Sequence, residues 1–228
     1  MKKTVSLSFM LLSILFCVCL ITANLLEIKV IKIGSLPLSI TAGMLVFPVS
    51  YIINDCIAEV WGFRKARLII WIGFLANFFV MAMAQLAVML PAAEFWDGEI
   101  HFNYVFGMAP RIVVASLIAF LVGSFFNAYV MSRMKIVSKG KNFSLRAVAS
   151  TVVGESADSV IFFPIAFGGV IPFDEMLKLM AVQIVIKTAY EIVILPVTIK
   201  VVNYIKKVDE CDAYDENVSY KFWRIGDI

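Results

Sequence analysis

The sequence predicts an all-α integral membrane protein of six transmembrane helices. Hydrophobic residues fill 61% of its 228 positions and charged residues only 16%, against about 45–50% and about 25% in soluble domains. The mean hydropathy is +0.91, and apolar runs of spanning length recur along the chain. At about 20 residues per crossing, six helices with short connections use nearly all of it. No stretch is left for a soluble catalytic domain, so the membrane helices must carry the function. Inside lipid the backbone has to bond within its own segment, which selects helix over open strand.

The spans follow in order. Residues 5–26 carry no charge. Lys2 and Lys3 ahead of them look like the start of a secretion signal, but the apolar run is too long and lacks a small-residue cleavage site. A connection with lysine, glycine and proline leads to the second span, 38–58. The third, 68–90, is again uncharged, and the fourth is 112–131. The fifth, 147–170, is interrupted by Glu155 and Asp158, and the sixth, 177–202, by Lys187 and Glu191. Residues 1–208 thus form a membrane domain, and 209–228, rich in acid, read as a solvated polar tail on the cytoplasmic side.

Basic residues set the direction. With the N-terminus inside, thirteen lie on the inner side (Lys2, Lys3, Arg64, Lys65, Arg67, Arg133, Lys135, Lys139, Lys141, Arg146, Lys200, Lys206 and Lys207), against Lys29, Lys32, Arg111 and Lys178 outside. The positive-inside rule then puts both termini in the cytoplasm of a cell whose inner membrane holds the chain. The net charge of +3 is a topology signal. Basic residues scattered over short loops give no support to a nucleic-acid partner. Cys17, Cys19, Cys56 and Cys211 have no metal-ligand spacing, and with a single histidine neither a metal nor a cofactor is expected.

A shift of 103 residues brings Asn24 onto Asn127, Lys32 onto Lys135, Ile33 onto Ile136 and Asp55 onto Asp158. Three spans separate the copies, so the expectation is a 3+3 inverted repeat, a frequent construction in secondary transporters.

Ionisable groups in the hydrocarbon are costly and usually face a cavity. Asn54, Asp55 and Glu59 occur together on the second span, with Asp55 and Glu59 four apart on one face. Thr151, Glu155, Asp158, Ser159 and Phe162 form a stripe on the fifth, and Gln183, Lys187 and Glu191 share a face of the sixth, near Tyr190. Glu59 has a bland reading, a pair with Arg64 at the inner interface. Asn24, Asn77, Gln85 and Asn127 have another, as hydrogen-bond links between helices. Five deep acids against one deep base, Lys187, call for protons or for a ligand rich in donors. A guanine-like base fits: its ring N–H and exocyclic amine donate together to one carboxylate, its carbonyl takes a donor, and its flat face suits Phe162 or Tyr190.

The run Asn54-Asp55-Cys56-Ile57-Ala58-Glu59-Val60-Trp61-Gly62 with Arg64-Lys65-Ala66-Arg67 resembles the signature of the queuosine precursor transporter family, also called vitamin-uptake-transporter-like. Gly123-Ser124-Phe125-Phe126-Asn127, with Arg133 and Lys135 after it, and Ser150-Thr151, Gly154-Glu155 and Asp158-Ser159 resemble its later spans. The resemblance implies an inner-membrane importer of 7-deazaguanine precursors such as 7-cyano-7-deazaguanine, 7-aminomethyl-7-deazaguanine or queuine, salvaged for transfer-RNA modification. It implies a fold akin to the substrate-binding subunits of vitamin uptake complexes, and Asn54, Asp55, Glu59, Asn127, Glu155 and Asp158 as site residues.

Two other readings compete. A binding subunit of an ATP-driven importer would dock through small residues on its first helix, and no Ala-xxx-Ala pair occurs there. An intramembrane aspartyl protease would use Asp55 and Asp158 as a dyad, but neither has glycine-flanked context. A transporter working alone is the expectation, with the bilayer around it, a homodimer as its assembly and no enzymatic activity.

Overall fold

The computed structural model describes residues 5–26, 29–32, 39–107, 110–169, 172–216 and 218–224. Six helices in it are long and apolar enough to cross a membrane, as the composition predicts. Their ends differ from the sequence expectation in an instructive way.

Helix α1 is Leu7–Leu26. Two short strands follow, β1 Val30–Lys32 and β2 Ser39–Thr41, antiparallel with Ile31 opposite Ile40. The predicted second span, 38–58, therefore begins too early: β2 leads into a 3-10 turn at Ala42–Leu45, and α2 is Phe47–Trp61. Pro48 sits in the first turn of α2, where its missing N–H costs nothing. Gly62, at φ +82°, breaks the chain before α3, Phe63–Met89. The short α4, Glu99–Phe106, has no counterpart in the sequence reading. Then come α5, Pro110–Val137, α6, Phe143–Phe167, and α7, Phe173–Val208.

Helices α3, α5, α6 and α7 each run past the hydropathy limits at an end carrying basic residues. Arg67, Lys135 and Arg146, expected in loops, are helical and buried. Hydropathy reports which residues meet lipid, whereas a helix continues for as long as its polar ends find partners. At about 1.5 Å per residue, the 36 residues of α7 reach about 54 Å, beyond the ~40–45 Å of a whole bilayer.

Helix α2 is the hub. It packs against α1, α3, α5, α6 and α7, and its residues from Ile53 to Val60 are all buried. Phe16, Leu20, Ile57, Ile70, Phe120 and Met131 close the apolar core around it. Leu11, Phe79 and Val193 point outward, as suits side chains facing lipid. The most extensive helix contact joins α5 and α6. There a Cβ on Gly123 would lie 2.9 Å from the Gly154 carbonyl, and one on Gly154 would lie 3.0 Å from the Gly123 carbonyl. Only glycine lets the two backbones approach so closely.

The tail corrects its reading as a solvated segment. Residues 209–216 and 218–224 lie across the ends of α2, α3 and α5. Asp215 is buried and accepts hydrogen bonds from the Phe63 N–H at 2.8 Å and the Ser132 hydroxyl at 2.5 Å. Arg67 donates to the carbonyls of Ser219 and Lys221, each at 2.8 Å. Tyr220 packs on Phe63 and Tyr129.

Of the repeat correspondences, Lys32 lies in β1 and Lys135 in α5, so local structure does not recur at that pair. Lys2, Lys3 and Ile33 lie outside the described residues.

Candidate functional site

Polar side chains of α2, α6 and α7 stack in three layers along the bundle. Phe47, Tyr51, Asp55 and Glu59 follow one another at four-residue spacing on one face of α2. Antiparallel to them on α6 run Phe162, Asp158, Glu155, Thr151 and Arg146, and Gln183, Lys187 and Glu191 accompany them on α7.

The first layer is a cavity of about 50 Å³ lined by Asn24, Ser116, Phe47, Asp158, Phe162, Gln183 and Lys187, with Ala23, Thr41 and Met44 completing its wall. By that measure it holds about four waters. Asn24 accepts from Ser116 at 3.0 Å, joining α1 to α5. Lys187 closes the inner side: its Nζ donates to Glu155 at 2.5 Å, lies 4.0 Å from Asp158, and sits 4.1 Å above the Phe47 ring.

The second layer holds Asp55, wholly buried. It accepts from the Ser150 hydroxyl at 3.1 Å and faces Glu191, which also faces Thr151. Beside it, Asn54 donates to Asn127 at 2.7 Å and to the Ser124 carbonyl at 3.2 Å. These bonds join α2 to α5. Asn127 thus makes the kind of helix link that the sequence allows for it, and its partner is Asn54, which the sequence reading takes only as a site residue.

The third layer is ionic and lies under the tail. Glu59 receives both terminal nitrogens of Arg146, a two-pronged pair, and Lys206 at 2.6 Å. Lys135 stands 3.7 Å away and donates to Asp212 and to the Glu59 carbonyl, each at 2.5 Å. Asp212 also takes Lys206 at 2.9 Å. Burial raises the Asp212 carboxyl, but the bonds from Lys135 and Lys206 outweigh it and hold the group below the usual aspartate range. Two acids thus meet three bases here.

The ten residues singled out in the sequence do not form one site. Asp158, Lys187 and Phe162 line the cavity, Glu155 is held by Lys187, and Asp55 and Glu191 lie in the layer beneath. Glu59 is set apart in the ionic cluster, paired with Arg146 rather than with the exposed Arg64. The count of a single deep base is corrected too, since Arg146 and Lys135 are as buried as Lys187. Tyr190 is not on the cavity wall, and Phe47 supplies the aromatic face that it was expected to give. Phe47 and Tyr51 were missed although their spacing from Asp55 carries the signal. Among the described residues, no group of three or more His, Cys, Asp and Glu side chains is placed to hold a metal ion.

A six-span helical bundle with a buried, charged and aromatic-lined cavity between its helices has the build of a membrane transporter. The chain belongs to the family described as "Putative vitamin uptake transporter", whose model matches residues 41–201. It is 27% identical over 177 residues to a "Probable queuosine precursor transporter" of Bacillus subtilis, covering 77% of this chain and 76% of that protein. It is 30% identical over 144 residues to the "Queuosine precursor transporter" of Escherichia coli, covering 58% and 59%. A "Probable queuosine precursor transporter" of Haemophilus influenzae is 27% identical over 128 residues, covering 56% and 52%. No solved structure matches the chain.

Proposed function

We propose that this protein imports queuosine precursors, planar 7-deazaguanine bases, through a site between α2, α6 and α7. The observation that carries the reading is the meeting of Asp158 and Lys187 with the Phe47 and Phe162 rings in one cavity. A carboxylate accepts the paired ring and amine N–H groups of such a base, and aromatic faces hold its flat surface. The names borne by the relatives support the same substrate class.

The chain spans the inner membrane with both termini and the tail cytoplasmic, a reading supported by its basic residues. The cavity then opens toward the outside, and the ionic layer closes the inner end. Transport alternates between loosening the wall around the cavity and parting the Glu59 cluster.

The test is uptake, followed by mass spectrometry, of 7-aminomethyl-7-deazaguanine and 7-cyano-7-deazaguanine. The host cells can neither make these bases nor import them. Expression of the chain restores accumulation; accumulation equal to that of cells without it overturns the proposal.

A further inference from the structure

We infer that Tyr51 determines specificity by donating its hydroxyl to the ring carbonyl of the transported base, an inference that rests on the site reading above. Tyr51 is 3% exposed, one helical turn before Asp55 on the same face of α2. Its ring stands 5.6 Å from that of Phe47, which lines the cavity, and Tyr51 itself lies one helical turn behind that wall. The hydroxyl is buried, and among the described residues it has no hydrogen-bond partner. A buried phenol left unsatisfied is costly, and the neighbouring groups show what would satisfy it.

Two glycines make room for this side chain. A Cβ on Gly123 would stand 2.6 Å from the Tyr51 hydroxyl and 3.0 Å from the Asp158 Cβ, so the phenol and the base of the aspartate crowd one point on α5. A Cβ on Gly154 would lie 2.9 Å from the edge of the Tyr51 ring. The Tyr51 O–H and the Asp158 side chain thus converge on one point of α5, so a base held by the Asp158 carboxylate would bring its neighbouring edge toward a donor. A lactam edge is the matching pattern, with a carbonyl oxygen next to a ring N–H. Of the other donors, the cationic Lys187 is held by Glu155 at 2.5 Å, and Gln183, on the cavity wall with Asp158, carries an amide that can accept as readily as donate. Asp158 alone would accept any amine-bearing ring; Tyr51 adds a requirement for the carbonyl.

The experiment compares two competitors of labelled 7-aminomethyl-7-deazaguanine uptake. One is the unlabelled base, and the other is its analogue with hydrogen in place of the ring carbonyl oxygen. In the wild-type protein the carbonyl-bearing base competes at least about tenfold better, the scale of one buried hydrogen bond. The analogue also lacks the ring N–H that Asp158 accepts, so in Tyr51→Phe the advantage shrinks by about tenfold without reaching one, through a higher KM for the natural base and an unchanged inhibition constant for the analogue. Melting of the detergent-purified variant matches wild type. Equal competition by the two compounds in wild type overturns the proposal even if the variant does not accumulate. So does a Tyr51→Phe variant that keeps the full advantage, or one that loses both compounds equally, which is the mark of packing alone. Absence of any uptake by the wild-type chain would overturn the transport reading itself, an outcome separate from these.

Discussion

Lys187 on α7 donates to Glu155 on α6 at 2.5 Å, and both side chains are almost wholly buried. Burial of either charge alone would be costly, and the pair resolves it by neutralising across two helices that both border the cavity. Lys187→Met should therefore destabilise the protein by about 3–5 kcal/mol, the scale for one orphaned member of a buried pair. Melting of purified protein measures it. The double variant Lys187→Met with Glu155→Gln should recover most of that stability without recovering uptake, because the cavity would have lost its charge pattern.

Glu59 and Arg146 form the second buried pair, far from the cavity along α2. Arg146→Met should reduce accumulation of folded protein and lower its melting temperature by a similar free energy. Arg64→Ala, at an exposed position, should stay within about 0.5 kcal/mol of wild type. Equal effects of the two substitutions would contradict the assignment of Arg146 rather than Arg64 as the partner of Glu59.

Gly123 faces the Gly154 carbonyl at 2.9 Å from its would-be Cβ and the Tyr51 hydroxyl at 2.6 Å. Because one of those neighbours is backbone, Gly123→Ala should force α5 and α6 apart, at about 1–3 kcal/mol, and uptake should fall more than melting suggests. Ala at Gly169, which has open space around it but a positive φ of 79°, should instead cost only backbone strain and leave KM unchanged.

Asp215 caps α3 from 152 residues away. Asp215→Ala removes an acceptor for the first N–H of that helix and should cost about 0.5–2 kcal/mol, as loss of an ordinary N-cap does. Limited proteolysis should then cleave the tail near residues 213–216 faster than in wild type.

Asp212 gives the tail a pH dependence. Its carboxyl is held below the usual aspartate range by Lys135 and Lys206, so the folded form binds its proton less readily than the unfolded chain. The stabilisation is full above the ordinary aspartate value of about 3.9 and disappears as pH falls through the lower folded value. Its magnitude is reduced by solvent, since the side chain is 45% exposed. Exchange of the Ala213 amide, which donates to the Val60 carbonyl at 3.0 Å, should remain protected at pH 5 and lose protection below about pH 4. Asp212→Asn should remove that acid step.

Much of the candidate site was legible because acids in apolar runs stand out. Asp55, Glu155, Asp158, Lys187 and Glu191 are each conspicuous against their neighbours, and helical spacing places them on inward faces. Tyr51 and Phe47 were not conspicuous, since an aromatic in a membrane helix is ordinary. Only the cavity and the two glycines opposite reveal what they face. Glu59 stood out equally well, yet pattern alone gave no means of separating an acid facing a ligand from one neutralised by three cations.

The sequence by itself determined the six spans, the acid stripe on α6 and the basic bias of one end, because burial in lipid and spacing along a helix are local properties. The tertiary structure decided which charges meet. Arg146 and Lys135 look like loop cations until α5 and α6 run past the hydropathy limits and carry them to Glu59. The acidic tail looks solvated until Asp215 finds the unpaired N–H of Phe63. Such pairings join residues 76 to 152 positions apart, and a one-dimensional pattern of polarity holds no information about distance across the bundle.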